Sequence, residues 1–258
     1  MKTYCNPLDL GYRYQHMKEG ERAAGFREGA DPTLVYFKGK YYLFVSMSAG
    51  FWYSDDLLHW NFHADPDLLI YDYAPDVRAI GEWLYFSASK RGEICNFYRT
   101  KDPVNGPYEE IPGTFDFWDP DLFLDDDGRL YFYWGCSNVT PIWGVELDRE
   151  TMKPKTERVE LLFGDPFHKG YERFGEDNSE QPKTEDEVEK LLTDYLKEKR
   201  MTLEEVPDQY RATMRGMFSG MPFIEGAWMT KHNGRYYLQY ACPGTEFNIY
   251  ADGVYVSD

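Results

Sequence analysis

Three acidic residues stand beside strand-and-turn motifs, and the chemistry of carboxyl groups is the first clue to function. Asp31 and Asp119 each precede a proline, whereas Glu225 precedes Gly226. One protonated and one ionised carboxyl group can protonate a leaving oxygen and activate water, which is what cleavage of a glycosidic bond requires. A third acid nearby can tune the proton donor and hold the substrate. The three residues predict acid–base catalysis if the fold brings them together.

Four segments share one layout, in which an aromatic strand, a tight turn and a second aromatic strand follow each other. The turns lie at residues 38–40, 81, 125–128 and 233–234, and each contains a glycine, which accepts the positive φ that such turns need. Pro32, Pro75 and Pro120 are 43 and 45 residues apart, and Gly226 follows Pro120 by 106. A period in the forties with several short strands is typical of propeller blades. We therefore predict an all-β fold, a β-propeller with about four blades in this chain.

The repeat explains how acids far apart in sequence could meet. Asp31, Asp119 and Glu225 occupy one position of the sequence frame, where the second repeat carries Ala74. Because the first strand of each blade lines the axis of a propeller, equivalent positions converge, and we expect the three acids to share a pocket. An acid beside a turn is ordinarily a cap or turn residue, and only the shared frame favours function. The acids at 125–127, at a hairpin tip, are expected to be solvated.

The longer spacing before the fourth repeat predicts a helical insertion over residues 165–221. Thr184 and Glu187 have the spacing of a capping box, in which each side chain satisfies a free amide of the other residue. Apolar residues then recur with helical periodicity over 188–196. A second, shorter helical stretch follows and is interrupted by Pro207. We expect this insertion to pack on the rim of the propeller.

Composition excludes several classes of function. The formal net charge of −17 disfavours nucleic-acid binding, which needs clustered Lys and Arg. No apolar run is long enough to span a membrane. The N-terminus lacks the apolar core of a signal peptide, so we expect a cytoplasmic protein, or a secreted or periplasmic one whose leader was removed. The cysteines have no metal-ligand spacing and are expected to be reduced and mostly buried: Cys5, Cys95, Cys136 and Cys242.

The motifs resemble glycoside hydrolase family 43, a family of five-bladed β-propellers. The most specific ones are Ala30-Asp31-Pro32-Thr33, Tyr73-Ala74-Pro75-Asp76-Val77, Trp118-Asp119-Pro120-Asp121-Leu122-Phe123 and Ile224-Glu225-Gly226-Ala227-Trp228. The resemblance covers nearly the whole chain except the insertion. It implies one propeller domain over 1–258, with a fifth blade expected beyond Asp258.

The resemblance also implies roles for single residues. Asp31 corresponds to the general base of an inverting mechanism, Glu225 to the general acid, and Asp119 to the acid that modulates and orients Glu225. An inverting pair is expected to lie about 6.5–9.5 Å apart. Tyr73 and Ala74 correspond to positions that border the sugar-binding subsite. One aromatic residue remains open between two roles, a stacking platform for sugar or a core residue: Trp52.

The substrate implied is a plant oligosaccharide or polysaccharide, from which terminal arabinofuranose, xylose or galactose is cleaved. No cofactor is required, no metal ligands are identified, and an axial calcium or sodium ion is compatible with such a fold. The alternative is a non-catalytic carbohydrate-binding propeller or an inactive fragment. An interaction propeller of the WD40 or kelch type fits poorly, because its repeat signatures do not recur in frame. The oligomeric state is not defined by the sequence.

Overall fold

Short antiparallel strands dominate the structure, as the aromatic-rich hairpin pattern predicts. The computed structural model describes residues 10, 15–16, 25–26, 29–48, 50–65, 68, 73–90 and 93–258, so Cys5 lies outside the described residues. The first strands form a two-stranded ribbon, β1 (Gln15–His16) with β2 (Gly25–Phe26). The chain divides into two compact units. The first unit comprises Met1–Phe132 and Val145–Glu157, and the second comprises Tyr133–Gly144 and Arg158–Asp258.

The first unit holds two four-stranded sheets in which consecutive strands are neighbours. The first sheet consists of β3 (Thr33–Phe37), β4 (Lys40–Phe44), β5 (Gly50–Ser54) and β6 (Asn61–Ala64). The second consists of β7 (Tyr73–Ile80), β8 (Trp83–Ser89), β9 (Phe97–Thr100) and β10 (Glu109–Ile111). Four strands in simple up-and-down order are the form of a propeller blade.

A third sheet has the same order, and the division between the units falls within two of its strands. It consists of β11 (Asp121–Leu124), β12 (Leu130–Trp134), β13 (Ile142–Leu147) and β14 (Val159–Leu162). The fourth sheet, in the second unit, has three described strands, namely β15 (Glu225–His232), β16 (Arg235–Cys242) and β17 (Ala251–Ser257). The four predicted hairpins are therefore confirmed, whereas the short outer strands β6, β10 and β14 were not predicted.

Aromatic side chains fill the core of the first unit. Phe44 and Phe51 stack with ring centroids 4.7 Å apart, and Phe44 also contacts Phe86 of the second sheet at 5.8 Å. Phe97 meets Phe132 edge-on at 5.1 Å. All five side chains are buried. Because full burial of one such side chain contributes about 1.5–3 kcal/mol, these contacts are what hold successive sheets face to face.

A buried ion pair joins the second sheet to the strand that starts the third. Arg78 contacts Asp76 (Nε to Oδ1, 3.0 Å) and also Asp121. The other oxygen of Asp76 accepts the Leu122 N–H at 2.7 Å. Burial raises the pKa of Asp76, against the opposing effect of Arg78. Asp121 is fully buried in this pair, so its carboxylate is bound by Arg78 and is not exposed to a ligand.

The insertion is helical, as predicted. It contains α1 (Glu185–Lys199), α2 (Asp208–Gly216) and three single turns of 3-10 helix at Gly170–Glu172, Glu176–Asn178 and Leu203–Glu205. The capping box is confirmed, because Thr184 accepts from the Glu187 N–H and the Glu187 side chain accepts from the Thr184 N–H. One face of α1 buries Val188, Leu192 and Leu196. The last two pack against Val206 in a small core of the second unit.

A close approach fixes the end of α2. The Asn138 side chain donates to the Gly216 carbonyl at 2.9 Å, and a Cβ at Gly216 would collide with the side chains of Val139 and Asn138. The insertion is thus attached to the loop that follows β12. Within the described ranges, no helix is long and apolar enough to cross a membrane.

One surface expectation is wrong. Asp125 is only 6% exposed, whereas Asp126 and Asp127 are exposed at the hairpin tip as expected. The Asp125 N–H donates to the Arg129 carbonyl, and its side chain accepts the Asp126 N–H, so the turn folds over this carboxylate. The prediction of a single domain over 1–258 stays a prediction.

Candidate active site

The residue at the head of each blade has an unusual backbone conformation. Asp31, Ala74 and Asp119 have φ values of 48°, 50° and 50°, and in the second unit Gly226 has a φ of 63°. Left-handed backbone costs a non-glycine residue roughly 1–2 kcal/mol, although Asp tolerates it better than most. Such strain persists only where the surroundings enforce it, and it is common at functional sites. The head of a blade is therefore a place where the backbone is bent to aim a side chain.

Serine hydroxyls hold these heads in the first unit. Ser46, which is fully buried, donates to Asp31 (Oγ to Oδ2, 2.7 Å) and accepts the Ala74 N–H at 2.9 Å. Ser89, also buried, accepts the Asp119 N–H at 2.9 Å. The first bond fixes the carboxylate of Asp31, and the other two fix the left-handed residue of the next blade. One hydroxyl thus links a candidate catalytic acid to the neighbouring sheet.

The frame of the fourth blade differs by one residue from the sequence prediction. Glu225 pairs with Ala241 and Trp228 with Gln239, so three steps on β15 oppose two on β16. In the second blade the same bulge lies between Tyr73 and Asp76. The backbone equivalent of Glu225 is therefore Tyr73, and Gly226 takes the left-handed place of Asp31, Ala74 and Asp119. Aligning Glu225 with Asp31 was wrong by one residue, because the frame was set by side-chain charge rather than backbone conformation.

Both oxygens of Glu225 accept hydrogen bonds. The thiol of Cys136 lies 3.0 Å from Oε2, and the phenol of Tyr250 lies 2.8 Å from Oε1. All three residues belong to the second unit, and the Glu225 side chain is half-buried. Cys136 and Tyr250 were not predicted as site residues. One signal was present, since Cys136 lies two residues after the end of β12, just as Ser46 lies two residues after the end of β4.

The predicted substrate-binding residues differ in how far they are buried. Tyr73 and Ala74 are half-buried at the head of β7, where the Ser46 hydroxyl accepts the Ala74 N–H. Trp52 is only 1% exposed and meets Phe62 edge-on at 4.9 Å. Of its two predicted roles, burial favours the core residue over the stacking platform. The convergence of Glu225 with Asp31 and Asp119 in one pocket stays a prediction.

Comparison with known proteins identifies the family. Residues 25–173, more than half of the chain, match the model of glycosyl hydrolases family 43. A β-xylosidase of Xylanibacter ruminicola is 26% identical over 87% of this chain and 75% of its own length. A xylosidase/arabinosidase 43A of Humicola insolens is 29% identical over 65% of this chain, which spans only about half (49%) of that relative.

Solved structures show the same fold. A thermostable family-43 glycoside hydrolase matches 99% of this chain and 72% of its own with a TM-score of 0.58 at 20% identity. An α-L-arabinofuranosidase from Clostridium thermocellum matches 88% of this chain and 68% of its own with a TM-score of 0.55 at 17% identity. These matches and the four blade-like sheets confirm the predicted all-β fold of propeller type. The chain therefore belongs to glycosyl hydrolases family 43, a family of glycosidases.

Proposed function

We propose that this chain removes terminal pentose units, arabinofuranose or xylose, from plant oligosaccharides or polysaccharides with inversion of the anomeric configuration. Galactose remains a further candidate sugar. The observation that carries the proposal is that Asp31 at the head of one blade, and Glu225 directly before the head of another, have carboxyl groups already held by side chains. Ser46 holds Asp31, and Cys136 and Tyr250 hold Glu225. Preorganised groups of this kind lower the cost of reaching the transition state.

In the proposed mechanism Asp31 is the general base. It accepts a proton from a water molecule while the oxygen of that water attacks the anomeric carbon. Glu225 is the general acid and gives its proton to the departing glycosidic oxygen, so the sugar leaves with inverted configuration and the aglycone leaves as an alcohol. The third acid, Asp119, orients Glu225. The bond from Ser46 leaves the other oxygen of Asp31, Oδ1, to take the proton.

The names of the relatives favour a pentose. They are a β-xylosidase and xylosidase/arabinosidases, and we extend that specificity to this chain as a proposal. Aryl α-L-arabinofuranosides, β-D-xylosides and β-D-galactosides are the substrates that separate the candidates. Nuclear magnetic resonance of the first-formed anomer distinguishes inversion from retention.

Two substitutions test the roles of the acids. Asp31→Asn should abolish turnover of every substrate, because no leaving group replaces the activated water. Glu225→Gln should remove most turnover of substrates with poor leaving groups and spare substrates whose leaving group needs no protonation. Glu157→Gln, at an exposed acid in the first unit, is the matched control and should keep wild-type turnover. A folded wild-type protein that binds oligosaccharide without turnover would favour the alternative, a carbohydrate-binding propeller.

A further inference from the structure

The carboxyl group of Glu225 is held from two sides by residues outside its own strand. Cys136 follows β12 and contacts Oε2, whereas Tyr250 follows β16 and contacts Oε1. The terminal torsion of a glutamate is broad, so an unrestrained carboxyl group samples many orientations. Two bonds at opposite oxygens remove that freedom. The plane of the carboxyl group is then held in one orientation, from which its proton can be delivered.

Tyr250 is the exposed partner and depends on its loop. It is 40% exposed and ends the loop 243–250, which contains two turn-like backbone bonds of 3.3 Å, from Phe247 to Gly244 and from Tyr250 to Phe247. Both bonds are long for N–H to O contacts. The loop therefore gains its definition from contacts with other parts of the chain.

The insertion supplies those contacts through a set of residues that we name the Asn248 clasp: Phe174, Glu176, Asp177, Phe247 and Asn248. Asn248 accepts the Asp177 N–H and donates to the Asp177 carboxylate, each at 3.1 Å. The Asn248 N–H donates to Glu176 at 3.0 Å. In addition, Phe174 meets Phe247 edge-on with ring centroids 4.5 Å apart. The clasp holds the loop two residues before Tyr250.

The insertion side of the clasp is itself anchored to β16. Glu172 is fully buried, and its carboxylate accepts from Tyr240 of β16 and from the Asp165 N–H, both at 2.5 Å. Lys169 lies 3.2 Å from the same carboxylate. Burial, reinforced by the bond to Glu172, raises the pKa of Tyr240, so its phenol stays a donor. A continuous set of contacts therefore runs from the sheet through the insertion and the clasp to Tyr250 and Glu225.

We propose that Tyr250 and Cys136 are positioning residues for Glu225, and that the insertion acts on catalysis by holding Tyr250 through the Asn248 clasp. This inference rests on the proposed function, in which Glu225 is the general acid. Positioning the acid matters only where the leaving oxygen must be protonated. Loss of a positioning bond should therefore weaken cleavage of poor leaving groups and spare good ones.

The test compares phenyl with dinitrophenyl pentosides, since the dinitrophenolate leaves without protonation. Tyr250→Phe should lower kcat/KM for the phenyl substrate about tenfold, with the loss in kcat, and change the dinitrophenyl value less than about twofold. Cys136→Ala should act in the same direction, and Cys136→Ser, which keeps a donor, should restore part of the loss. Asn248→Ala, which leaves the tyrosine in place, should give a smaller loss, about threefold. Tyr210→Phe, at an exposed tyrosine on α2, is the matched control.

The outcomes separate this inference from the proposed function. Circular dichroism first establishes that each variant is folded. If Glu225→Gln loses phenyl turnover as expected but Tyr250→Phe and Cys136→Ala keep the wild-type ratio of the two substrates, positioning is overturned and the function stands. An equal loss on both substrates also overturns it, because that is the result of general damage to the site. If Glu225→Gln keeps phenyl turnover, or the wild type turns over no pentoside, the proposed function fails and the inference fails with it.

Discussion

Replacing Ser46 by alanine should damage both the stability and the chemistry of the first unit. The hydroxyl is fully buried, donates to the Asp31 carboxylate at 2.7 Å and accepts the Ala74 N–H at 2.9 Å. A hydrogen bond to a charged group contributes about 1.5–3 kcal/mol and a neutral one about 0.5–1.5 kcal/mol. Ser46→Ala should therefore lower the free energy of unfolding by about 2–4.5 kcal/mol.

Urea unfolding measures this loss, with an unchanged m value as the sign that the unfolded state is the same. The melting temperature should fall by roughly 4–18 °C, since each kcal/mol moves it by about 2–4 °C in a protein near this size. A cycle with Asp31→Ala separates the two bonds: the coupling energy between Ser46 and Asp31 should be at least about 1 kcal/mol. If Asp31 is the base, kcat on pentosides should fall with KM little changed. A stability loss below about 0.5 kcal/mol, the level of an ordinary surface substitution, would refute the reasoning.

Three further predictions concern other parts of the chain. Glu172→Ala should lower the free energy of unfolding by about 3–5 kcal/mol, because it leaves buried donors without their acceptor. In the same urea titration, the control Glu157→Ala, at an exposed residue, should change it by less than about 0.5 kcal/mol. Burial raises the pKa of Cys95 to about 11 and that of Cys242 to about 12. Iodoacetamide at pH 8 should therefore label half-exposed Cys136 before Cys95 or Cys242, as measured by peptide mass mapping. Labelling of Cys242 first would contradict the burial argument. Dialysis against a chelator should leave pentoside turnover unchanged, and a loss that calcium reverses would show that an ion is required.

Much of the fold was predictable because the signals are local. A glycine turn between two aromatic runs specifies a hairpin within about fifteen residues, and all four such hairpins are present. The capping box of α1 is equally local, since Thr184 and Glu187 are three residues apart. The short outer strands, such as Asn61–Ala64, escaped prediction because they are only three or four residues long and depend on the neighbouring strand for their structure.

The site was predicted in its acids but not in its supports. Asp31, Asp119 and Glu225 were found from charge and repeat position. The left-handed backbone at the blade heads has no signal in the sequence at Ala74. The alignment of Glu225 with the heads of the other blades is therefore ambiguous by one residue. Cys136 and Tyr250 reach Glu225 across 89 and 25 residues, and no spacing rule covers such contacts. Trp52 illustrates the same limit, because only the packed sheet reveals that its ring is enclosed.

The bulge at the head of β15 also constrains how the chain can change in length. Gly226 is the extra residue between Glu225 and Trp228, and strand side chains alternate between the two faces of a sheet. Deleting it would remove the bulge and its left-handed residue, so that Glu225 would lose the bend that sets the direction of its side chain, whereas the connection between the third and fourth hairpins accommodates a long helical insertion. We therefore expect descendants of this chain to gain and lose residues between blades, whereas the number of residues at each blade head stays fixed. The placement of the catalytic residues depends on that number as well as on which residues are present.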